Sequence, residues 1–520
     1  MKKQPYPIAQ LTGGVDTSLD ATFLVDTNSP NLRAVRFEKG LIKKVLSYST
    51  FGTGLPLTGA VVAIATFETI AGSVHTLIIT TDYIYLYDPS ATTYSILNKT
   101  ALSVPIVFTG DEDDLFSFVP TGKSSGGTWT DLFVFTNGVD AIQKWDGSGE
   151  CDDLGGWSAG SVLAKYLAVF QSRLVAACTT ESGTYSPWRV RWSVAGDVED
   201  ISGTGSGFSD LIETPGVIVQ LIVMKGKLYV IKTDSIWEMV YIGGTDIFRP
   251  TIRYVSVGSK APKGIFAVGE NIAILGNYNI SLFDGLELTL LDKNVNSLLY
   301  DVQDRIINEA LFSRVVGAYL EDQQRLLFIL PKKGSTFPNL EFSYQLDSQS
   351  WTIRERESTA IGTYTEVSKT LWSALTGLWS AQTGVWITRD IAAGAKSTLY
   401  GTSAGYVYED KGLTKSSETL IFETKDWTFE HAQRWVEIRV KVRGGPFYLA
   451  YSLDEGNTWS DYSYFAASSI TGEFKECVVW VNKTSQTIRV KLISTAEDLE
   501  VKWIEPWYVP RVRSVSLVAS

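Results

Sequence analysis

Short apolar runs, each broken by a polar turn and then resumed, set the rhythm of this chain. His75–Leu97 shows it most clearly: Leu77, Ile78 and Ile79 form one run, Thr80–Asp82 break it, Tyr83–Tyr87 resume it, and Asp88-Pro89-Ser90 close it. β-Branched and aromatic residues dominate both runs, which suits a pleated, half-buried surface better than a helix. The pattern recurs at Leu132–Asp146, Arg173–Asp197, Lys227–Val240, Asn271–Asp284, Arg325–Asp347 and Thr398–Asp410. Successive copies start about 40 to 70 residues apart, around the period of propeller blades. A single hairpin cannot bury its own faces, so such units must stack. Radial stacking into a ring leaves few free edges.

The pattern therefore predicts an all-β chain, a β-propeller of six or seven irregular blades followed by a C-terminal β-sandwich. Residues 1–45 read as an N-terminal arm ending in a first strand, Arg33–Phe37, that is a candidate to close the ring by joining the last blade. Residues 46–415 hold the propeller. One inserted helix is expected over Asn296–Val315, where Leu298, Leu299, Val302, Ile306 and Ala310 keep helical spacing. Within 370–388, Trp372, Trp379 and Trp386 recur every seven residues. Gly377 and Gly384 oppose a coiled coil there and favour tandem turns. Residues 416–520 carry strand signals at sandwich spacing, from Ile421–Phe429 to Val501–Tyr508, and read as a jelly-roll-like domain.

Composition narrows the function. The net charge of −11 opposes a nucleic-acid clamp, which needs a concentrated basic stripe. The three cysteines, Cys151, Cys178 and Cys477, form neither a disulfide framework nor a CxxC metal pair. The start, MKKQPYPIAQLTGG, lacks the apolar core of a signal peptide, and no run of ~18 apolar residues suggests a membrane span. The expectation is a soluble protein made in a reducing cytoplasm.

Four stretches resemble chemistry-bearing motifs. Ser452–Trp459 fits the Asp-box pattern S-x-D-x-G-x-T-W, in which the carboxylate bonds the turn backbone; it is a folding device. Thr121-Gly122-Lys123-Ser124 ends like a phosphate-binding loop, but Ser117 stands where the first glycine belongs and no helix follows. Asp111-Glu112-Asp113-Asp114 offers oxygen ligands for a hard cation without EF-hand spacing, and a solvated loop is the favoured reading. His75 and His431, the only histidines, are far apart in sequence and give little basis for a triad. Paired carboxylates decide nothing among 57 acidic residues. No catalytic, cofactor-binding or metal-binding residue is assigned, no cofactor is expected, and the chain is read as a non-enzyme.

The opening Gly13-Gly14-Val15-Asp16-Thr17, then Asp26–Asn31, then Arg33–Gly40, resembles the start of phage structural proteins, departing from it at Asn31-Leu32. Together with the hairpin array, the Trp/Thr-Gly repeat and the Tyr451–Trp459 hairpin, the whole chain resembles the tail nozzle (tail hub or tubular) proteins of short-tailed bacteriophages. That resemblance implies a structural virion protein of the phage tail, made in the host cytoplasm. It implies self-association into a ring, a homohexamer, that extends the DNA-ejection channel below the portal and adaptor. Further partners would be tail fibre or tail spike proteins, with genomic DNA passing through without specific binding. The alternative is a glycan-binding or receptor-binding propeller of a phage tail, supported by the Asp box and the many aromatics. A peptide-binding propeller scaffold ranks third, because WD and kelch signatures are missing.

Overall fold

The structure is a computed structural model; it describes residues 2–6, 11–45, 47–99, 104–125, 127–244, 246–365, 396–410, 418–466, 472–496 and 498–510. The Trp repeat at 370–388 lies outside them.

Seven four-stranded antiparallel sheets form the blades of a β-propeller. Blade 1 comprises Val61–Glu68, Val74–Thr80, Ile84–Asp88 and Thr93–Ile96. Blade 2 comprises Ser117–Ser125, Thr128–Thr136, Gln143–Trp145 and Asp152–Asp153; blade 3, Val162–Phe170, Arg173–Glu181, Thr184–Trp192 and Gly207–Asp210. Blade 4 runs from Ile218–Met224 to Phe248–Val255, blade 5 from Ile265–Val268 to Leu288–Leu290, and blade 6 from Val316–Leu320 to Ser350–Glu355. The first strand of each blade is innermost, and each inner strand contacts the inner strands of both neighbouring blades. All seven hairpins found in the sequence pattern are the second and third strands of their blades. These are the strands buried on both faces, as in Lys227–Lys232 and Arg325–Pro331. The outer strands, such as Thr93–Ile96 and Leu288–Leu290, are largely exposed and carry too little apolar signal to stand out.

Blade 7 closes the ring. Its strands Ala360–Thr365, Lys396–Gly401 and Val407–Glu409 are completed by Ser49–Thr50, in the register Tyr408↔Thr50 and Glu409↔Ser49. The closing strand thus starts twelve positions after Phe37, the end of the strand expected to close the ring. Val35–Glu38 instead pairs with Leu41–Lys44, which joins the C-terminal sheet through Val501↔Ile42. Arg33 itself pairs with Ile421. The helix expected over Asn296–Val315 is two short pieces, Asn296–Tyr300 and a 3-10 turn at Glu309–Arg314. Asp301 is extended at ψ 129°, its carboxylate accepts the Gln303 amide at 2.8 Å, and this local turn interrupts the helical periodicity.

The C-terminal region is sandwich-like. Trp427–Arg443 and Lys475–Ser494 are long strands that pair with each other. The second half of Lys475–Ser494 leaves that pairing to lie between Leu420–Glu423 and Phe447–Ser452. Register shifts near Thr428/Gln433 and Trp435/Glu437 mark the bend. Its core is continuous with blades 5 and 6: Val15, Leu32 and Ile42 of the arm bridge Trp351 and Phe328 to Phe422, Trp427 and Ile504.

Adjacent blades meet tightly where the ring closes. A Cβ on Gly362 would lie 2.5 Å from Ile64 Cγ2 and 2.7 Å from its carbonyl oxygen. Between blades 6 and 7, the buried Arg356 guanidinium stacks 3.5 Å over the Tyr400 ring and meets Glu341 at 2.5 Å. Burial opposes the charge on Glu341, but Arg356 and Arg354 outweigh it and hold the carboxyl below its ordinary range. Gly362→Val is expected to cost about 1–3 kcal/mol by overpacking the seam. Gly155→Ala, whose Cβ meets nothing nearer than 3.6 Å, is the control, expected to stay within about 0.5 kcal/mol. Urea unfolding of both variants checks this; equal midpoints would show that the seam tolerates bulk.

Candidate functional site

Two places combine charge, strain and long-range contacts: the mouth of the propeller channel, and the joint between propeller and terminal sheet.

The mouth lies on the face that carries the connections between blades. Lys263 precedes the inner strand of blade 5, and its ammonium donates across the axis to the carbonyl of Phe116, which precedes the inner strand of blade 2. Phe118 lies under the same ammonium, 5.5 Å from ring centroid to nitrogen. Arg314, just before blade 6, grips Asp113 through two bonds of 2.7 and 2.8 Å. Lys165 of blade 3 stands 3.8 Å from Asp114. Residues 111–116 therefore form a strap held from three sides. Below it is a cavity of about 210 Å3 lined by Asp113, Asp114, Lys165, Lys260 and Thr233 among others. Asp113 is pulled below its ordinary pKa by the Arg314 bonds, against the pull of burial. Dense walls around Lys263 push its ammonium down to about 8.

The acidic stretch at 111–114 is thus neutralised by arginine and lysine. Among the described residues no group of three or more His, Cys, Asp or Glu side chains could hold a metal ion. The Thr121–Ser124 stretch is the middle of a blade strand, and a Cβ on Gly122 would strike the Trp129 ring. Lys123 there pairs with Glu199 at 2.7 Å and Asp197 at 3.2 Å. The Asp box is a turn: Asp454 accepts from Thr458 N at 2.8 Å, Thr458 Oγ1 at 2.6 Å and Ser452 Oγ at 2.7 Å. Those bonds draw its carboxyl down to about 2. His75 of blade 1 packs edge-on against Trp145 of blade 2, while His431 sits in the long strand Trp427–Arg443. The structure does not bring the two together.

The joint is made by the opening motif. Gly14 has φ 83°, and a Cβ there would lie 2.6 Å from the Trp351 carbonyl oxygen of blade 6. Thr17 N donates to Asn294 O at 2.8 Å, fastening the arm to the connection between blades 5 and 6. Asp16 accepts from Asn28 Nδ2 at 2.7 Å and Ser18 Oγ at 2.6 Å, which folds the arm back on itself. Ser29 Oγ, wholly buried, then reaches the Glu423 carbonyl of the terminal sheet at 2.7 Å, and Asn31 Nδ2 reaches the Glu423 carboxylate at 2.9 Å. One short segment therefore touches both bodies through backbone and side chain. The residues of this motif were visible in the sequence; their role as a joint was not, because Trp351, Asn294 and Glu423 are hundreds of residues away. Lys263 and Arg314 carried no sequence signal, being single basic residues, one in a connection and one at the end of a short 3-10 turn.

Known proteins resemble the chain only distantly. No protein-family model matches the chain, and no curated protein does. Among solved structures, it is similar to a streptogramin B lyase at 10% identity, covering 70% of this chain and 97% of that one, with a TM-score of 0.38. It is similar to YCF48 bound to D1 peptide at 9% identity, covering 73% and 99%, with a TM-score of 0.37. PorZ, a surface component of the type-IX secretion system of Porphyromonas gingivalis, is 11% identical over 80% of this chain and 46% of that one, with a TM-score of 0.35. Likeness at this level carries no argument about this chain.

Arg314→Ala is expected to release the strap. Asp113 is about half exposed, so global stability should change by less than ~1 kcal/mol. Hydrogen exchange across 111–116 should rise well above wild type. The same loosening is expected on acidification. A depressed carboxyl contributes above the ordinary aspartate value of 3.8, and that contribution is lost as pH falls through the folded value. Unchanged exchange in both conditions would mean the strap is held by something else. Gly14→Ala is expected to strain the joint by about 1–3 kcal/mol. Faster exchange over 11–32 checks it.

Proposed function

We propose that this protein is a structural component of a phage tail, a nozzle or hub subunit that assembles into a ring around the DNA-ejection path. The observation that carries the reading is the joint. The stretch whose residues resemble the start of phage structural proteins is the stretch that welds a closed propeller to a long-stranded terminal sheet, through Gly14, Asp16, Ser29 and Asn31. A subunit that resists pressure-driven passage of DNA needs its two bodies fixed to one another, and a shared core together with backbone bonds from one arm does so. A ring of such subunits arises from one heterologous contact repeated about an axis. The net charge of −11 suits a conduit that lets DNA pass, since neutralised phosphates would hold it. In this reading the portal and adaptor lie above the ring, fibres or spikes attach to it, and no residue performs catalysis.

Light scattering of the purified protein, with negative-stain images of the same peak, tests the proposal. The expected result is a closed ring with a central hole and a mass near six times 57.3 kDa. A protein that stays monomeric both alone and with its neighbouring tail proteins, while binding specifically on a glycan array, would overturn it in favour of a receptor-binding propeller.

A further inference from the structure

Two groups of exposed apolar side chains lie on opposite sides of the terminal sheet. The first is the arm loop at 19–25. Ala21 and Leu24 are buried there, whereas Leu19, Phe23 and Val25 face solvent, Phe23 to 74%. The loop is held in this shape. Phe23 N donates to Asp20 O at 2.9 Å, Thr22 N to Asp20 Oδ1 at 2.9 Å and Asp426 N to Ala21 O at 3.2 Å. Lys425 Nζ donates to Leu24 O at 2.8 Å. An apolar knob whose backbone is already fixed loses little freedom on docking.

The second group is on the strands Phe447–Ser452 and Ser463–Phe465. Phe447 and Phe465 stack at 4.9 Å against the core, while Tyr448 and Tyr464 pair at 5.2 Å on the other face. Tyr448 and Tyr464 are exposed, Tyr464 to 58%, and so is Tyr462 beside them. Tyrosines gathered at solvent have the composition of a contact centre.

Sheet order relates the two. Leu420–Glu423 pairs with Lys475–Ser494, which pairs with Phe447–Ser452, which pairs with Ser463–Phe465. The arm loop is bonded to residues 425 and 426, just beyond the first of these strands, and the tyrosines belong to the last two. Three strand spacings, ~14 Å, therefore separate a knob on one side of the sheet from a flat aromatic face on the other. Two unlike patches on opposite sides of one body are what a head-to-tail contact needs, and such contacts close into rings. With a net charge of −11, copies repel at a distance, so apolar surface is the means by which they can hold one another. We propose that Phe23, flanked by Leu19 and Val25, packs onto Tyr448 and Tyr464 of a second copy, and that this is the contact repeated around the ring; the inference rests on the ring reading above.

Two double variants of the full chain test it, Leu19→Ser with Phe23→Ser and Tyr448→Ser with Tyr464→Ser. They are measured under the conditions in which the wild type forms its ring, alone or with its neighbouring tail proteins. All four side chains face solvent, so thermal melts should be unchanged. Each contact should weaken about thirtyfold or more, and light scattering should show the ring replaced by the 57.3 kDa monomer. Bismaleimide crosslinking reads the direction of the contact. Cys151 and Cys178 are buried, so a Cys477→Ser background suffices. Phe23→Cys chains mixed with Tyr464→Cys chains should stop at covalent dimers, and chains with both substitutions should give a ladder. Rings that survive either double variant, or chains that fail to crosslink within a ring, would overturn the contact and leave the ring reading standing. A wild-type chain that forms no ring would overturn both. An intact ring whose tyrosine variant loses binding on a glycan array would make that face a sugar platform instead.

Discussion

The rest of the structure depends on ring closure by two residues. Six blades complete themselves from consecutive strands, and the seventh lacks its outer strand until Ser49–Thr50 lies against Tyr408–Glu409. That pairing covers the outer edge of blade 7, whose inner strand Ala360–Thr365 packs on Val61–Glu68 of blade 1 over a shared apolar core and through bonds such as Thr66 Oγ1 to Thr363 O. The closing strand comes from the beginning of the chain, so closure also dictates where the arm before it must run. It leaves blade 7, enters the terminal sheet through Leu41–Lys44 and Val35–Glu38, and then crosses blade 6.

That path makes the arm serve two bodies at once. The propeller and the terminal sheet share one core, with Trp351 on one side and Trp427 and Trp435 on the other, all fully buried. The arm supplies the apolar bridge between them in Val15, Leu32 and Ile42. Its polar residues do the directional part, since buried groups such as Ser29 must find partners and the partners available lie in the sheet. A two-body protein with a large shared apolar core behaves as one rigid unit, unlike domains joined by a linker.

The channel mouth shows a different economy of charge. A propeller places the starts of all its inner strands around one opening, so side chains from opposite blades meet there without being close in sequence. Lys263 and Arg314 both reach residues 111–116 in this way, which braces that strap across one mouth of the ring. The acidic run at 111–114 looks like a cation site when read alone, and its neutralisation by Arg314 and Lys165 follows only from the ring.

What the sequence determined by itself was the local grammar. Alternating β-branched and aromatic runs around Gly, Asn and Asp turns located the second and third strands of all seven blades, because those strands are buried on both faces and must be apolar. The Asp box at Ser452–Trp459 was equally legible, since the bonds that the Asp454 carboxylate accepts span at most four residues. Tertiary structure decided the rest. The exposed outer strands, the choice of Ser49–Thr50 over Arg33–Phe37 as the closing strand, the broken helix at Asn296–Arg314, the arm's role as a joint and the Lys263–Phe116 crossing all rest on partners that meet only when the ring is closed. Local propensity carries no information about a partner hundreds of residues away, and burial on one face of a closed ring is a property of the assembled sheets and not of any one strand.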